Sequence, residues 1–184
     1  DFFKPTWPSN VAKIPEHNEY RHKLLSETSD EYSKRSALFL EKKILEIGSE
    51  NVAGFVAETM LGGLVGDVPP SKNYWKYIKK ICTKYNVHLI LDEVWCGTGT
   101  SGKIYCIDWD GITPDILFMG KTLGAGFLPI SCLLTSNKIL NPITAGQGSI
   151  LYSNTFQGHS TCVAAALAVQ KIIHNDQFLN EVNE

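Results

Sequence analysis

Apolar positions along the chain fall into two patterns. Helical spacing puts Ala37, Leu40, Ile44 and Ile47 on one stripe, behind Ser29 or Asp30 as a cap and with Gly48 as the stop. The spacing recurs at Tyr74, Ile78, Ile81 and Tyr85, with Ser71 as the expected cap. A last helix is expected over 160–174, "STCVAAALAVQKIIH". Four short apolar runs read instead as strands: "NVAGFVAET", "VHLILDEV", "PDILFMG" and "PISCLLTS". Such runs suit a parallel sheet covered on both faces. Strand, helix, strand, then strand with long connections predicts an α/β fold: a mainly parallel sheet flanked by helices. Residues 1–28, rich in Pro, Asn and aromatics and without periodicity, read as an extended loop segment.

In sheets of this kind ligands sit beyond the carboxyl ends of the strands. Glu58 ends the first run, Asp92 and Glu93 the second, and Gly120 and Lys121 the third. Acids and a lysine are therefore expected on one rim. Charges at strand ends are common as solvated groups, but agreement among three strands favours a site. Burying a charge is costly unless something positive meets it. A lysine partly buried beside an apolar run releases its proton more readily and becomes a nucleophile towards carbonyls, as in Schiff-base chemistry. An aspartate on the floor of such a pocket would hold a cationic ring nitrogen. Lysine with aspartate is the pairing that pyridoxal 5'-phosphate (PLP) needs.

Composition narrows the alternatives. The 184 residues are 43% hydrophobic and 20% charged, which is ordinary for a globular domain. A net charge of -2 supplies no broad field for nucleic acid or an anionic membrane surface, so neither is expected as a partner. No run of about 18 apolar residues marks a membrane span. Cys82, Cys96, Cys106, Cys132 and Cys162 are odd in number and show no CxxC spacing. They read as reduced, mostly structural thiols of a reducing, cytoplasmic setting. The histidines do not pair with them at ligand spacing, so no metal site is expected. "GTGTSG" at 97–102 has the spacing of a dinucleotide loop, but no helix-forming stretch follows it.

Three blocks in order, "LILDEVWCGTGTSGK", "TPDILFMGKTLGAG" and "SNTFQGHSTCVAAALAV", closely resemble the class III, or ω-type, aminotransferases. The resemblance runs from about Tyr20 to Ile173. It implies fold type I, with this chain as part of the large PLP-binding domain. It also implies a homodimer whose active site lies at the interface, a small-molecule amino donor and a 2-oxo acid acceptor. Lys121 resembles the lysine that holds PLP as a Schiff base and carries the proton of the 1,3-shift. Asp92 resembles the partner of the pyridine nitrogen. Val94 resembles the residue that packs on one ring face, and Thr155 the threonine that reaches the phosphate of the other subunit's cofactor. Glu58 matches a glutamate near the cofactor. Core packing would equally account for Val94, and a turn for Thr155. Glu93 reads as a structural acid beside the site, and His159 as a structural hydrogen-bonding residue.

The chain departs from the family pattern in three places. Thr100 stands where an arginine is usual, Ser160 where a proline follows the histidine, and Gly63 where several ω-amino-acid members have a second glutamate. The last departure argues against an ornithine or 4-aminobutyrate preference. The phosphate-gripping turn and the stacking aromatic are expected upstream. The small domain, with its substrate arginine, is expected downstream, so the chain reads as a central fragment. Within PLP chemistry, an aminomutase of the glutamate-semialdehyde type stays open. A decarboxylase is disfavoured, because Gly120 rather than histidine precedes Lys121. An inactive fragment or partner-binding module that keeps the fold is the alternative outside catalysis.

Overall fold

Thr28 starts the first long helix. Its hydroxyl accepts the N–H of Glu31 at 3.3 Å, while the Glu31 carboxylate accepts the Thr28 N–H at 2.8 Å. This reciprocal pair is a capping box, worth about 1 kcal/mol. The cap is one residue ahead of Ser29, because only Thr28 has a glutamate three residues on. The computed structural model describes residues 4–184. Its helices are α1 (Glu19–His22), α2 (Ser29–Ile47), α3 (Tyr74–Tyr85), α4 (Asn137–Gln147), α5 (Ser160–Ile173) and α6 (Asp176–Asn183). Gly48, at φ 90°, ends α2 with a backbone turn that residues other than glycine rarely adopt.

The strands are β1 (Gly54–Glu58), β2 (His88–Asp92), β3 (Ile116–Met119) and β4 (Cys132–Thr135), side by side in that order. The first three are parallel and β4 is antiparallel to β3. This is the mainly parallel sheet expected. Leu89 and Leu91 of β2 are wholly buried, and so is Ile78 of α3. They pack with Leu40 and Ile44 of α2, with Trp75 of α3, and with Leu117 and Met119 of β3 in one core. Burying each large aliphatic side chain contributes about 1.5–3 kcal/mol. Side chains alternate along a strand, so His88, Ile90 and Asp92 face away from this core. They are only half-buried, and Val56 of β1 is exposed. Among the described residues, helices α2 and α3 thus seal one face of the sheet, and the other is partly open.

Segment 1–28 is mostly without regular structure in its described part, yet it carries α1 and two buried polar residues, His17 and Asn18. The His17 ring stacks on Tyr74 with centroids 3.7 Å apart. Its Nδ1 lies 3.0 Å from the Ser36 hydroxyl. Its Nε2 accepts the Ser71 N–H at 3.1 Å and lies 2.7 Å from the Ser71 hydroxyl. Ser71 is therefore turned into this latch and does not cap α3, which Asn73 precedes at φ 65°. Helices α4 and α6 bury no residue fully among the described residues.

Candidate active site

Parallel pairing levels the strand ends. Glu58 is the register partner of Asp92, and Asp92 that of Phe118. Gly120 and Lys121 follow directly after Met119 of β3, so the acids and the lysine sit on one rim, as three strand ends predicted. The end of β2 is pinned on both sides. The Asp92 carbonyl accepts the N–H of Thr59 at 3.1 Å, and the Glu93 N–H donates to the Phe118 carbonyl at 2.9 Å.

Asp92 is half-buried on the open face of the sheet. One carboxylate oxygen accepts the N–H of Val94 at 2.8 Å, which closes a tight turn. The other has no hydrogen-bond partner among the described residues. Val94 leans over Gly120: a methyl group on Gly120 would lie 3.2 Å from Val94 Cγ1. The absence of a side chain at Gly120 keeps this part of the rim open. Glu58 turns away, because its carboxylate accepts the Gly62 N–H at 3.1 Å.

Lys121 opens a single helical turn, Lys121–Leu123, with φ 41°. A non-glycine residue held there costs on the order of 1 kcal/mol, and such strain gathers at functional sites. The neighbours supply the restraint. Leu123 N–H donates to the Gly120 carbonyl at 2.8 Å. The hydroxyls of Thr98 and Thr122 are hydrogen-bonded, Thr122 donates to the Gly97 carbonyl at 3.2 Å, and Thr100 donates to Thr122 at 3.3 Å. Gln170 of α5 donates to the Leu123 carbonyl at 3.0 Å. Thr100, the residue in place of the usual arginine, thus belongs to the bracket around the lysine turn.

The expected partial burial of Lys121 is not met. The residue is exposed, and its amine has no ion pair or hydrogen bond among the described residues. Gly120 occupies the buried place at the strand end, and the left-handed turn carries the lysine outward. Thr155 stands apart, in an exposed turn before α5, hydrogen-bonded to neither Asp92 nor Lys121. His159 precedes α5 without a side-chain cap.

Glu93 is not a rim residue. It is wholly buried, on the side of the chain opposite Asp92. The threonine bracket and Glu93's inward anchoring carried no signal in a single sequence, since both depend on how the 93–107 loop folds back. No helix of the described residues is long and apolar enough to cross a membrane, and none of their His, Cys, Asp and Glu side chains gather in a metal-binding group.

A mostly parallel sheet flanked by helices is also the fold of solved fold type I transaminases. The ω-transaminase of Pseudomonas jessenii in complex with PMP matches with a TM-score of 0.81 at 34% identity, over 88% of this chain and 36% of that one. The chain matches the model of the family Aminotransferase class-III over residues 1–184, and it belongs to that family. Members of the family use PLP. An aminotransferase of Gibberella zeae is 38% identical over 176 residues, 96% of this chain and 34% of that protein. The putrescine–pyruvate aminotransferase of Pseudomonas aeruginosa is 35% identical over 153 residues, 83% of this chain and 33% of that protein. The chain spans about a third of the length of these relatives.

Proposed function

We propose that the protein moves an amino group from an amine or amino acid to a 2-oxo acid or aldehyde, with PLP as cofactor. The observation that carries this is the level rim: Asp92 and Lys121 end neighbouring strands, each with an unpaired polar group directed to no other residue described. The residues suit the cofactor. Asp92 has a free oxygen for a protonated ring nitrogen, Val94 offers an apolar contact for a ring face, and side-chain-free Gly120 lets a ligand approach the backbone. When bound, PLP supplies an electron-poor ring that stabilises the carbanion left when the amino donor loses its α-proton.

The residues of this chain do the rest. Lys121 Nζ anchors the cofactor and then moves the proton away from the donor α-carbon. The exposed position of Lys121 leaves its four-carbon stem free to swing between these tasks. Asp92 keeps the ring nitrogen protonated by accepting its hydrogen bond. Thr155 would serve the phosphate in a partner subunit, and Glu58 would border the same site. Exposed Ile150, Leu151, Tyr152 and Phe156 around Thr155 form an apolar surface that a second copy would cover, which supports a homodimer. The five free cysteines support a cytoplasmic setting.

The test is an amino-transfer assay of the intact protein with PLP, varied amino donors and 2-oxo acids. Acceptor amination that disappears in Lys121→Ala is the expected result. Equal turnover by Lys121→Ala would overturn the reading.

A further inference from the structure

Glu93 is a buried carboxylate without a cation. It is 0% exposed and forms no ion pair among the described residues. Its Oε1 accepts the Thr59 hydroxyl at 2.9 Å and the Ile107 N–H at 2.8 Å. Its Oε2 accepts the Cys106 N–H at 2.7 Å. All three partners donate. The two N–H groups can only donate, and only the Thr59 hydroxyl could turn round to accept an O–H from a protonated Glu93. Burial pushes its carboxyl above the usual range, and the bonds from Ile107, Cys106 and Thr59 oppose that push. An apolar residue here would leave two buried N–H donors unpaired, and a neutral amide would offer them a single acceptor oxygen, so the anchor is built for the two oxygens of a carboxylate.

The main chain at this residue is equally held. Its N–H donates to Phe118 of β3, and its carbonyl accepts the Gly97 N–H at 3.0 Å. Gly97 has no room for a side chain, since a Cβ there would lie 2.9 Å from the Glu93 carbonyl oxygen and 3.1 Å from Oε2. Glu93 therefore ties together the end of β1, the end of β3 and the returning loop at 106–107. Asp92 precedes it on an extended chain and points to the opposite side. Fixing Glu93 from below fixes the backbone that carries Asp92, without contact with the Asp92 carboxylate.

We infer that Glu93 is the positioning residue for Asp92: its three-donor anchor sets where the free Asp92 oxygen meets a cationic ring nitrogen. The inference rests on the reading of Asp92 as that nitrogen's partner.

The experiment is a double-mutant cycle read by PLP affinity, measured by absorbance titration of the cofactor-stripped intact protein, with melting temperature alongside. Asp92→Asn and Glu93→Gln are each expected to weaken PLP by roughly tenfold or more. In the Asp92→Asn background, Glu93→Gln should change affinity less than about twofold, because the group it positions is gone. Thr59→Val, which removes one of the three donors, is expected to show the same pattern with a smaller loss and carries the cycle if Glu93→Gln does not fold. Additive losses, or unchanged affinity in Glu93→Gln and Thr59→Val while Asp92→Asn binds weakly, would overturn the inference and leave the reading of Asp92 standing. Unchanged affinity in Asp92→Asn would overturn that reading, and the inference with it.

Discussion

Glu58 and Asp92 face each other as the last paired residues of two parallel strands, yet their carboxylates are used differently. Glu58 is spent on the Gly62 N–H of the turn that follows it. Asp92 closes its own short turn with one oxygen and keeps the other free. Two acids at adjacent strand ends repel unless one is turned away. The Gly62 turn does this, and Asp92 is left as the acid of the rim.

The latch at His17 makes stability depend on pH. Burial lowers the His17 pKa from 6.5 to about 4. Below pH 6.5 the unfolded chain takes up a proton that the folded form refuses, so the latch contributes fully above that pH and its contribution falls as pH drops to about 4. The loss reaches about 3 kcal/mol at the acid end. Denaturant titrations from pH 7 to 4 should show wild type losing more stability than His17→Gln. Parallel curves would contradict the latch. Glu93, whose pKa is raised by burial, acts in the opposite sense and is common to both proteins.

Gly97→Ala should destabilise by about 1–3 kcal/mol, because its Cβ would meet the Glu93 carbonyl oxygen at 2.9 Å, a backbone atom with little room to yield. Gly111→Ala has open space around it but φ 66°, so it isolates the cost of backbone conformation alone. Thermal melts of the two should rank Gly97→Ala as the more damaging.

Thr122→Val removes the hydroxyl that meets Thr98, Thr100 and the Gly97 carbonyl. A stability loss of about 1 kcal/mol is expected. Amino-transfer activity should fall further, by roughly tenfold, since Lys121 loses the bracket that orients its turn. Activity that falls only in step with the folded fraction would show that the bracket is structural.

Much of this was readable from residue order. Unbroken apolar runs marked all four strands, and the stripe from Ala37 to Ile47 marked α2. Strand ends brought Glu58, Asp92 and Lys121 to one rim because parallel strands of similar length finish level. What escaped had no local signal. His17 is buried by stacking on Tyr74 and by hydrogen bonds with two serines distant in sequence, Ser36 and Ser71, the second held in turn by Ser33. Helix α4 contains Pro142, a residue that reads as a helix breaker. Glu93 and Asp92 look alike in the sequence. Only the strand's alternation, with the loop returning at Cys106, sends one inward and leaves the other at the rim. Lys121 was expected beneath apolar cover, but one left-handed residue after Gly120 lifts it clear.

The most direct test is reductive trapping. The intact protein is incubated with PLP, treated with borohydride, digested and examined by mass spectrometry. A single pyridoxyl label on Lys121, lost in Lys121→Arg, is the expected result. A label spread over surface lysines, or confined to another one, would contradict the assignment of Lys121 as the cofactor lysine.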